Sequence, residues 1–139
     1  MDRSRGFTLL ELMVVVAIVA IVSALAAQSY TRYAFRSRRA DARQMLMSIA
    51  QAQERWHATY NRYADDLEKL GYSNPAMSSH GYYELALSVQ DDRGQGFVAV
   101  AMPMHGQVGD ACGSLSIDQA GRKFPNAADA SANANGACW

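Results

Sequence analysis

The chain has 139 residues, half of them hydrophobic, and its 13 Lys and Arg balance its 13 Asp and Glu. This length accommodates one domain and an appendage, and the zero net charge gives no general attraction to nucleic acids or other acidic partners. The charge is unevenly distributed. Residues 28–43 contain five arginines and one acid, whereas residues 44–139 contain six Lys or Arg and ten Asp or Glu. We therefore expect a basic neck followed by an acidic body.

The first predicted element is an apolar helix over Phe7–Ala27. Such a helix extends about 32 Å, enough to cross a hydrocarbon layer of about 30 Å. Arg3 and Arg5 precede it, and Glu11 is the one charged residue inside it. A carboxylate within a membrane-spanning helix costs about 2.5–3.5 kcal/mol, so Glu11 needs a specific partner.

Two interpretations of this run follow from general rules. A secretory signal peptide would end at Ala26, after the A-x-A pattern in SALAAQ, and would release a soluble periplasmic binding module. The length of the run and the presence of Glu11 argue against it. A plain transmembrane anchor is the second interpretation. Because more arginines follow the run than precede it, the positive-inside rule would then favour a cytoplasmic body.

A third interpretation rests on the segment RGFTLLEL, which resembles the signal of type IV pilin precursors. The resemblance implies that prepilin peptidase cuts between Gly6 and Phe7, that the leader 1–6 is lost, and that Phe7 is N-methylated. It also implies that Glu11 pairs with the Phe7 amine of an adjacent subunit in the filament. A buried charge is strongly unfavourable alone and much less so when paired, so assembly would relieve the cost of Glu11.

The helical pattern continues beyond the apolar run and becomes amphipathic. Gln28 stands where pilins commonly carry Pro, with Tyr30 retained, and a proline there would weaken the helix by about 3 kcal/mol. No Gly or Pro interrupts residues 7–70, so we predict one helix of roughly fifty residues. Asp65 is predicted to cap a short turn that ends at Gly71. An apolar stripe suited to packing on a sheet recurs at spacings of three and four: Ala42, Met45, Leu46, Ile49, Ala52, Trp56 and Tyr60.

Four arginines also share one face of this helix, at spacings of four, three and four: Arg32, Arg36, Arg39 and Arg43. They are possible contacts for anionic lipid headgroups or for acidic faces of neighbouring subunits, or they form a solvated basic collar. DNA is not expected as a partner, because the body is acidic and a filament would bury this face.

Three strands are predicted next, in YYELALSV, GFVAVAMPM and CGSLSIDQAGRKF, with QDDRGQG joining the first two as an antiparallel hairpin. Leu115 and Ile117 face inward in the third. The tail is rich in Ala and Asn and would be disordered unless fastened. Cys112 and Cys138 can form one disulfide that closes a loop of about 27 residues and contributes roughly 3–4 kcal/mol, provided the body lies in an oxidising compartment. Trp139 either covers this disulfide or lies exposed.

This order of elements resembles the pilin fold, and CGSLSIDQAG with the final ACW is most similar to the PilE-type minor pilins of Gram-negative bacteria. The resemblance implies an α+β fold: a long N-terminal α-helix, transmembrane in its first half, packed through its amphipathic second half on a small antiparallel β-sheet. A disulfide joining Cys112 and Cys138 closes the C-terminal region. The expected division is the leader 1–6, a membrane or filament-core helix 7–27, and a periplasmic head 28–139.

The resemblance implies a structural subunit of a type IV pilus, more specifically a minor pilin. It would reside in the inner membrane and later in a pilus at the cell surface, supporting adhesion, twitching motility or DNA uptake. Its implied partners are other pilin subunits, prepilin peptidase, the inner-membrane assembly platform and membrane lipid. A type II secretion pseudopilin shares the N-terminal signal and is the alternative, against which the C-terminal disulfide loop argues.

The sequence predicts neither an enzyme nor a bound cofactor. His57, His80 and His105 lack the spacing of metal ligands, so no metal is expected. There is also no phosphate-binding Gly loop and no nucleophile elbow.

Overall fold

The computed structural model describes residues 7–139, apart from the side chains of residues 27, 28 and 135. The predicted leader and its Gly6 therefore lie outside the described residues. The chain divides into two compact units, Met1–Ala34 and Phe35–Trp139. One helix, α1, contributes to both.

Helix α1 spans Leu9–Tyr60, which is 52 residues and confirms the predicted single long helix. It begins after Thr8, whose Oγ1 accepts a hydrogen bond from the backbone N–H of Glu11 at 3.3 Å. It ends at Asn61, which has a left-handed backbone with φ 54° and donates its N–H to the carbonyl of His57 at 2.8 Å. Asn is one of the few residues that adopt this conformation at a helix C-terminus at low cost.

The apolar part of α1 exposes its side chains along its whole length. Every large apolar residue from Phe7 to Leu25 is exposed, from 83% at Phe7 to 50% at Val14. By length and composition this segment can cross a membrane, and none of its most apolar stretch is buried against the part of the chain that the structure describes. Burying such surface stabilises by about 25 cal/mol per Å², so the segment favours lipid or other subunits over water.

Five strands form one antiparallel sheet in which spatial order follows sequence order. In register, Leu85 pairs with Ala101, which pairs in turn with Leu115. The predicted strands are present, and two short edge strands at the margins, one of them the end of the third predicted segment, complete the meander. The strands are β1 Ala76–Met77, β2 Tyr83–Val89, β3 Phe97–Pro103, β4 Leu115–Asp118 and β5 Lys123–Phe124.

The hydrophobic core lies between the second half of α1 and one face of this sheet. Five residues of the predicted stripe are buried in it: Ala42, Met45, Leu46, Ile49 and Ala52. Leu115 and Ile117 are buried as predicted. Trp56 is only half-buried, and the prediction for Tyr60 is wrong, because its side chain is 57% exposed. The helix ends at Tyr60, so the sheet does not cover its last turn.

The short turn after α1 differs in one detail from the prediction. The backbone N–H of Glu68 is held by Asp66 Oδ1 at 3.0 Å, whereas the predicted cap Asp65 pairs with Lys69. The predicted stop at Gly71 is confirmed by its left-handed φ of 83°.

Gln53 is a buried polar residue of α1 that the apolar pattern could not reveal. Its side chain donates to the carbonyl of Ala64 at 2.8 Å and accepts from the N–H of the same residue at 2.9 Å. Since the backbone of Ala64 is buried, this double hydrogen bond avoids two unsatisfied groups.

Candidate assembly segment and buried ion pair

The N-terminal turn of α1 places Glu11 three residues after its cap. Thr8 and Glu11 form the T-x-x-E pattern of a capping box, in which the N-cap hydroxyl binds the N3 backbone N–H. Negative charge is also favourable in the first turn of a helix, where the macrodipole is positive. Glu11 thus has a local role, visible in the sequence as T-L-L-E, in addition to the predicted pairing with the Phe7 amine of another subunit. That pairing stays a prediction.

The four arginines of the predicted stripe do not all lie on one solvated face of α1. Arg32 is exposed, and Arg43 is half-buried and donates Nε to the carbonyl of Arg39 at 3.4 Å. Arg36 is exposed but lies against Gly136, where a Cβ atom would come within 2.9 Å of its guanidinium. Arg39 is fully buried, so the prediction that it contacts lipid or a neighbouring subunit is corrected.

Arg39 turns inward because it has a buried carboxylate partner in the head. Its Nε and Nη2 donate to the two oxygens of Asp110 at 2.7 and 2.6 Å, and both side chains are 0% exposed. Such bidentate pairs are strong and directional. Removing one partner of a buried pair leaves an uncompensated charge, so each residue depends on the other.

Two further side chains, Gln107 and Tyr83, extend this network from Asp110. Gln107 Nε2 donates to Asp110 Oδ2 at 2.9 Å and lies 3.0 Å from the hydroxyl oxygen of Tyr83, which accepts from it. Burial raises the pKa of Tyr83 to about 12, so this hydroxyl is neutral at physiological pH. The loop between β3 and β4 is thereby tied to strand β2 as well as to α1.

The C-terminal region is closed by the disulfide between Cys112 and Cys138, as predicted. Trp139 is not free: it packs against the core cluster that contains both cysteines. It is half-buried, and its Nε1–H donates to the carbonyl of Phe124 in β5 at 2.8 Å. The ammonium of Lys123 lies 5.2 Å from the centre of the indole ring, within the range of a cation–π contact.

A cationic and aromatic patch lies on the surface of the head. The Arg38 guanidinium sits 4.6 Å from the centre of the Tyr82 ring, and the His80 ring stacks with its centre 6.3 Å from that of Tyr82. His80 is anchored by Asp41, which accepts from its backbone N–H at 3.2 Å. Burial alone would raise the pKa of Asp41, but hydrogen bonds from Ser78 and His80 outweigh it and lower the pKa below its ordinary value.

Within residues 7–139, no group of three or more His, Cys, Asp and Glu side chains lies close enough together to hold a metal ion.

An exposed apolar N-terminal helix, an antiparallel sheet beneath its second half and a C-terminal disulfide together define the chain as a type IV pilin. Residues 1–27 match the model of the prokaryotic N-terminal methylation motif. Residues 28–116 match the family model of the type IV minor pilin ComP, DNA uptake sequence receptor. This match covers more than half of the chain, and the chain belongs to that family of type IV minor pilins.

Individual pilins show the same relationship. The chain is 35% identical over 80 residues to the type IV major pilin protein PilA of Myxococcus xanthus, a match that covers 58% of this chain and 36% of that protein. A type IV pilin structure from Shewanella oneidensis superposes with a TM-score of 0.55 at 28% identity, covering 76% of this chain and 97% of that one. The predicted fold, family and function class, a structural subunit of a type IV pilus, are confirmed.

Proposed function

We propose that this chain is made as a precursor, held in the inner membrane by the first half of α1, and then built into a type IV pilus as a minor subunit. The observation that carries the proposal is the continuous exposure of apolar side chains from Phe7 to Leu25. Residues 7–139 of a single chain do not cover this surface, whereas lipid and then packed helices of other pilins would bury it. The assembly platform of the inner membrane would move the subunit from the first environment to the second.

The proposed processing step explains the position of Glu11. Cleavage by prepilin peptidase after Gly6 would leave a positive α-amine on Phe7, one residue before the cap Thr8. An amine and a carboxylate from two subunits would neutralise each other inside the filament, where neither can be hydrated. A buried pair costs far less than a buried single charge, so the pair would favour one register between subunits.

The exposed arginines of α1 fit this proposal of membrane residence followed by assembly. Arg39 is not among them, because it is buried. Arg32 and the exposed part of Arg36 would meet anionic headgroups before assembly and acidic side chains of other pilin heads afterwards. Juxtamembrane basic residues near anionic lipid contribute about 1 kcal/mol each. The acidic balance of residues 44–139 supplies complementary charge on a neighbouring copy.

Intact-mass measurement of the chain purified from membranes or from sheared filaments tests the processing. We expect the loss of residues 1–6 and the addition of about 14 Da, one CH₂, as N-methylation requires. A chain that begins at Ala27 would instead support the periplasmic binding module. Filaments built from chains that retain residues 1–6 would contradict the proposal. Antibody labelling of the cell surface separates a pilus subunit from a pseudopilin, since only the former would label extended surface fibres.

A second candidate function is DNA binding, which the description of the matched family favours. The patch formed by Arg38, Tyr82 and His80 offers an aromatic ring and a guanidinium on one surface. Bases stack on such side chains with a contribution of about 1–3 kcal/mol each. This proposal departs from the sequence-based expectation that DNA is not a partner.

For this function we expect Tyr82→Ala to weaken DNA binding about tenfold, a loss within the range of one base-stacking contact. The measurement is fluorescence anisotropy of a labelled oligonucleotide with the full chain in detergent, repeated over several salt concentrations. Arg38→Gln should also reduce the salt dependence. Arg93→Gln removes the same charge from an exposed loop and is the control that should bind like wild type. Absence of binding by the wild-type chain at low salt would exclude this function.

A further inference from the structure

Asp110 fixes the backbone beside the first cysteine. It precedes Cys112 by two residues, and its Oδ1 accepts a hydrogen bond from the Cys112 N–H at 3.3 Å. The same oxygen accepts from Arg39 Nη2, and the other accepts from Arg39 Nε and from Gln107 Nε2. With both oxygens engaged and the side chain fully buried, Asp110 holds Cys112 in a fixed position relative to α1.

Arg39 fixes the backbone beside the second cysteine. Its Nη1 donates to the carbonyls of Gly136 at 3.0 Å and Ala137 at 3.1 Å, the two residues that precede Cys138. Gly136 adopts a φ of 94°, and its missing side chain leaves room for the guanidinium of Arg36. A side chain at this position would meet both a strained backbone and that guanidinium. The segment before Cys138 is therefore shaped to lie on two arginines of α1.

These contacts do not depend on sulfur atoms. They join Arg39 to residues that follow it in the sequence by 71, 97 and 98 residues. The two cysteines, by comparison, are 26 residues apart. In an unfolded chain, closing such loops is opposed by entropy. Once Arg39 has bound both the Asp110 carboxylate and the carbonyls of Gly136 and Ala137, the chain segments that carry the two thiols lie next to each other and the entropic cost of closing these loops no longer opposes the disulfide.

We propose that the Arg39–Asp110 pair positions Cys112 and Cys138 for disulfide formation, so that the pair forms first and the covalent bond follows. One cysteine thiolate attacks a disulfide oxidant such as oxidised glutathione, forming a mixed disulfide and releasing one glutathione thiolate. The second cysteine thiolate then attacks the protein sulfur of this mixed disulfide and releases the second glutathione. Two thiol protons are lost and two electrons pass to the oxidant. Arg39 and Asp110 take no part in the exchange and act only by position.

The test follows disulfide formation during refolding of the full chain in detergent. Reduced, unfolded chain is transferred to a glutathione redox buffer, free thiols are trapped with iodoacetamide at intervals, and the intramolecular disulfide is counted by mass spectrometry. We expect Arg39→Gln to slow formation of the bond about tenfold and to lower the effective concentration of the two thiols to a similar extent. Arg39→Lys, which keeps the charge but loses the bidentate fork, should fall in between.

Two controls separate positioning from a general loss of stability. Gln53→Ala deletes a buried polar side chain of the same helix whose partner is Ala64 rather than the C-terminal segment. Arg43→Gln removes a neighbouring charge whose Nε donates to the carbonyl of Arg39 rather than to the segment before Cys138. Both variants should form the bond at the wild-type rate. If Gln53→Ala slows it as much as Arg39→Gln does, the proposal is overturned.

A chain without cysteines tests the proposal even where Arg39→Gln fails to fold. In the full chain carrying Cys112→Ser and Cys138→Ser, the pair should still hold the segment 132–139 on α1. We expect amides of this segment to exchange with deuterium at least about tenfold more slowly than in an unfolded chain. If amides of the segment 132–139 exchange at the unfolded rate while the core positions of α1 stay protected, then only the disulfide holds this segment on α1. That result would overturn the proposal.

Discussion

Asp110→Ala is expected to lower the free energy of unfolding of the head by about 3–5 kcal/mol, the usual cost of breaking a buried ion pair. The variant leaves the Arg39 guanidinium fully buried without the carboxylate that it meets at 2.6 and 2.7 Å. It also removes the acceptor for Gln107 and for the Cys112 N–H. The measurement is guanidinium unfolding of the full chain in detergent, followed by tryptophan fluorescence.

Two comparison variants show whether the unpaired buried charge of Arg39 causes the expected loss of stability. Asp92→Ala removes an acid from the exposed β2–β3 loop and should change stability by less than about 0.5 kcal/mol. Replacing both partners, as Arg39→Met with Asp110→Leu, buries no charge and should recover much of the loss. If Asp110→Ala alone lowers the free energy of unfolding by less than about 1 kcal/mol, the unpaired Arg39 charge does not destabilise the head as a buried ion should.

Glu11→Ala is expected to leave membrane insertion intact and to reduce incorporation into filaments at least about tenfold. Insertion should not suffer, because the change removes a carboxylate that costs about 2.5–3.5 kcal/mol in the bilayer. Incorporation should suffer, because the α-amine of Phe7 in the adjacent subunit would be buried without its counter-charge. The measurement compares the amount of chain in the membrane fraction with that in sheared filaments, by quantitative immunoblot.

The capping box supplies the control for this prediction. Glu11→Gln retains a residue that completes the box with Thr8 but loses the charge, and it should fail to assemble like Glu11→Ala. Thr8→Ala removes the cap at a cost of about 1 kcal/mol and keeps the charge, so it should assemble. If Glu11→Gln assembles normally while Glu11→Ala does not, helix capping is the role of this residue and the inter-subunit pair is excluded.

Much of the fold follows from local pattern. The apolar run and the uninterrupted helical spacing predict α1 within a few residues, and alternation predicts β2, β3 and the buried face of β4. The two-residue edge strands are different, because β1 and β5 are defined by pairing with β2 and β4 rather than by their own side chains. The spacing of Tyr60 fits the core stripe, but the turn made by Asn61 ends the helix there.

The ion pair between Arg39 and Asp110 could not be predicted, because it too depends on contacts between distant parts of the chain. Helical spacing groups Arg39 with other arginines, and nothing local distinguishes it from Arg36 or Arg43. Its partner Asp110 lies 71 residues away, in a loop whose position depends on the complete sheet. Gln53 escapes prediction in the same way, because its partner is a backbone segment beyond the end of the helix. Polar residues inside the head are thus specified by tertiary contacts that sequence periodicity does not report.

The disulfide also has a practical consequence for imaging. The chain has two cysteines, and their bond leaves no free thiol. A single cysteine introduced in place of the exposed Asp92 would therefore be the one attachment point for a maleimide dye. Fluorescent filaments could then be followed on living cells without fusing a bulky reporter to the subunit.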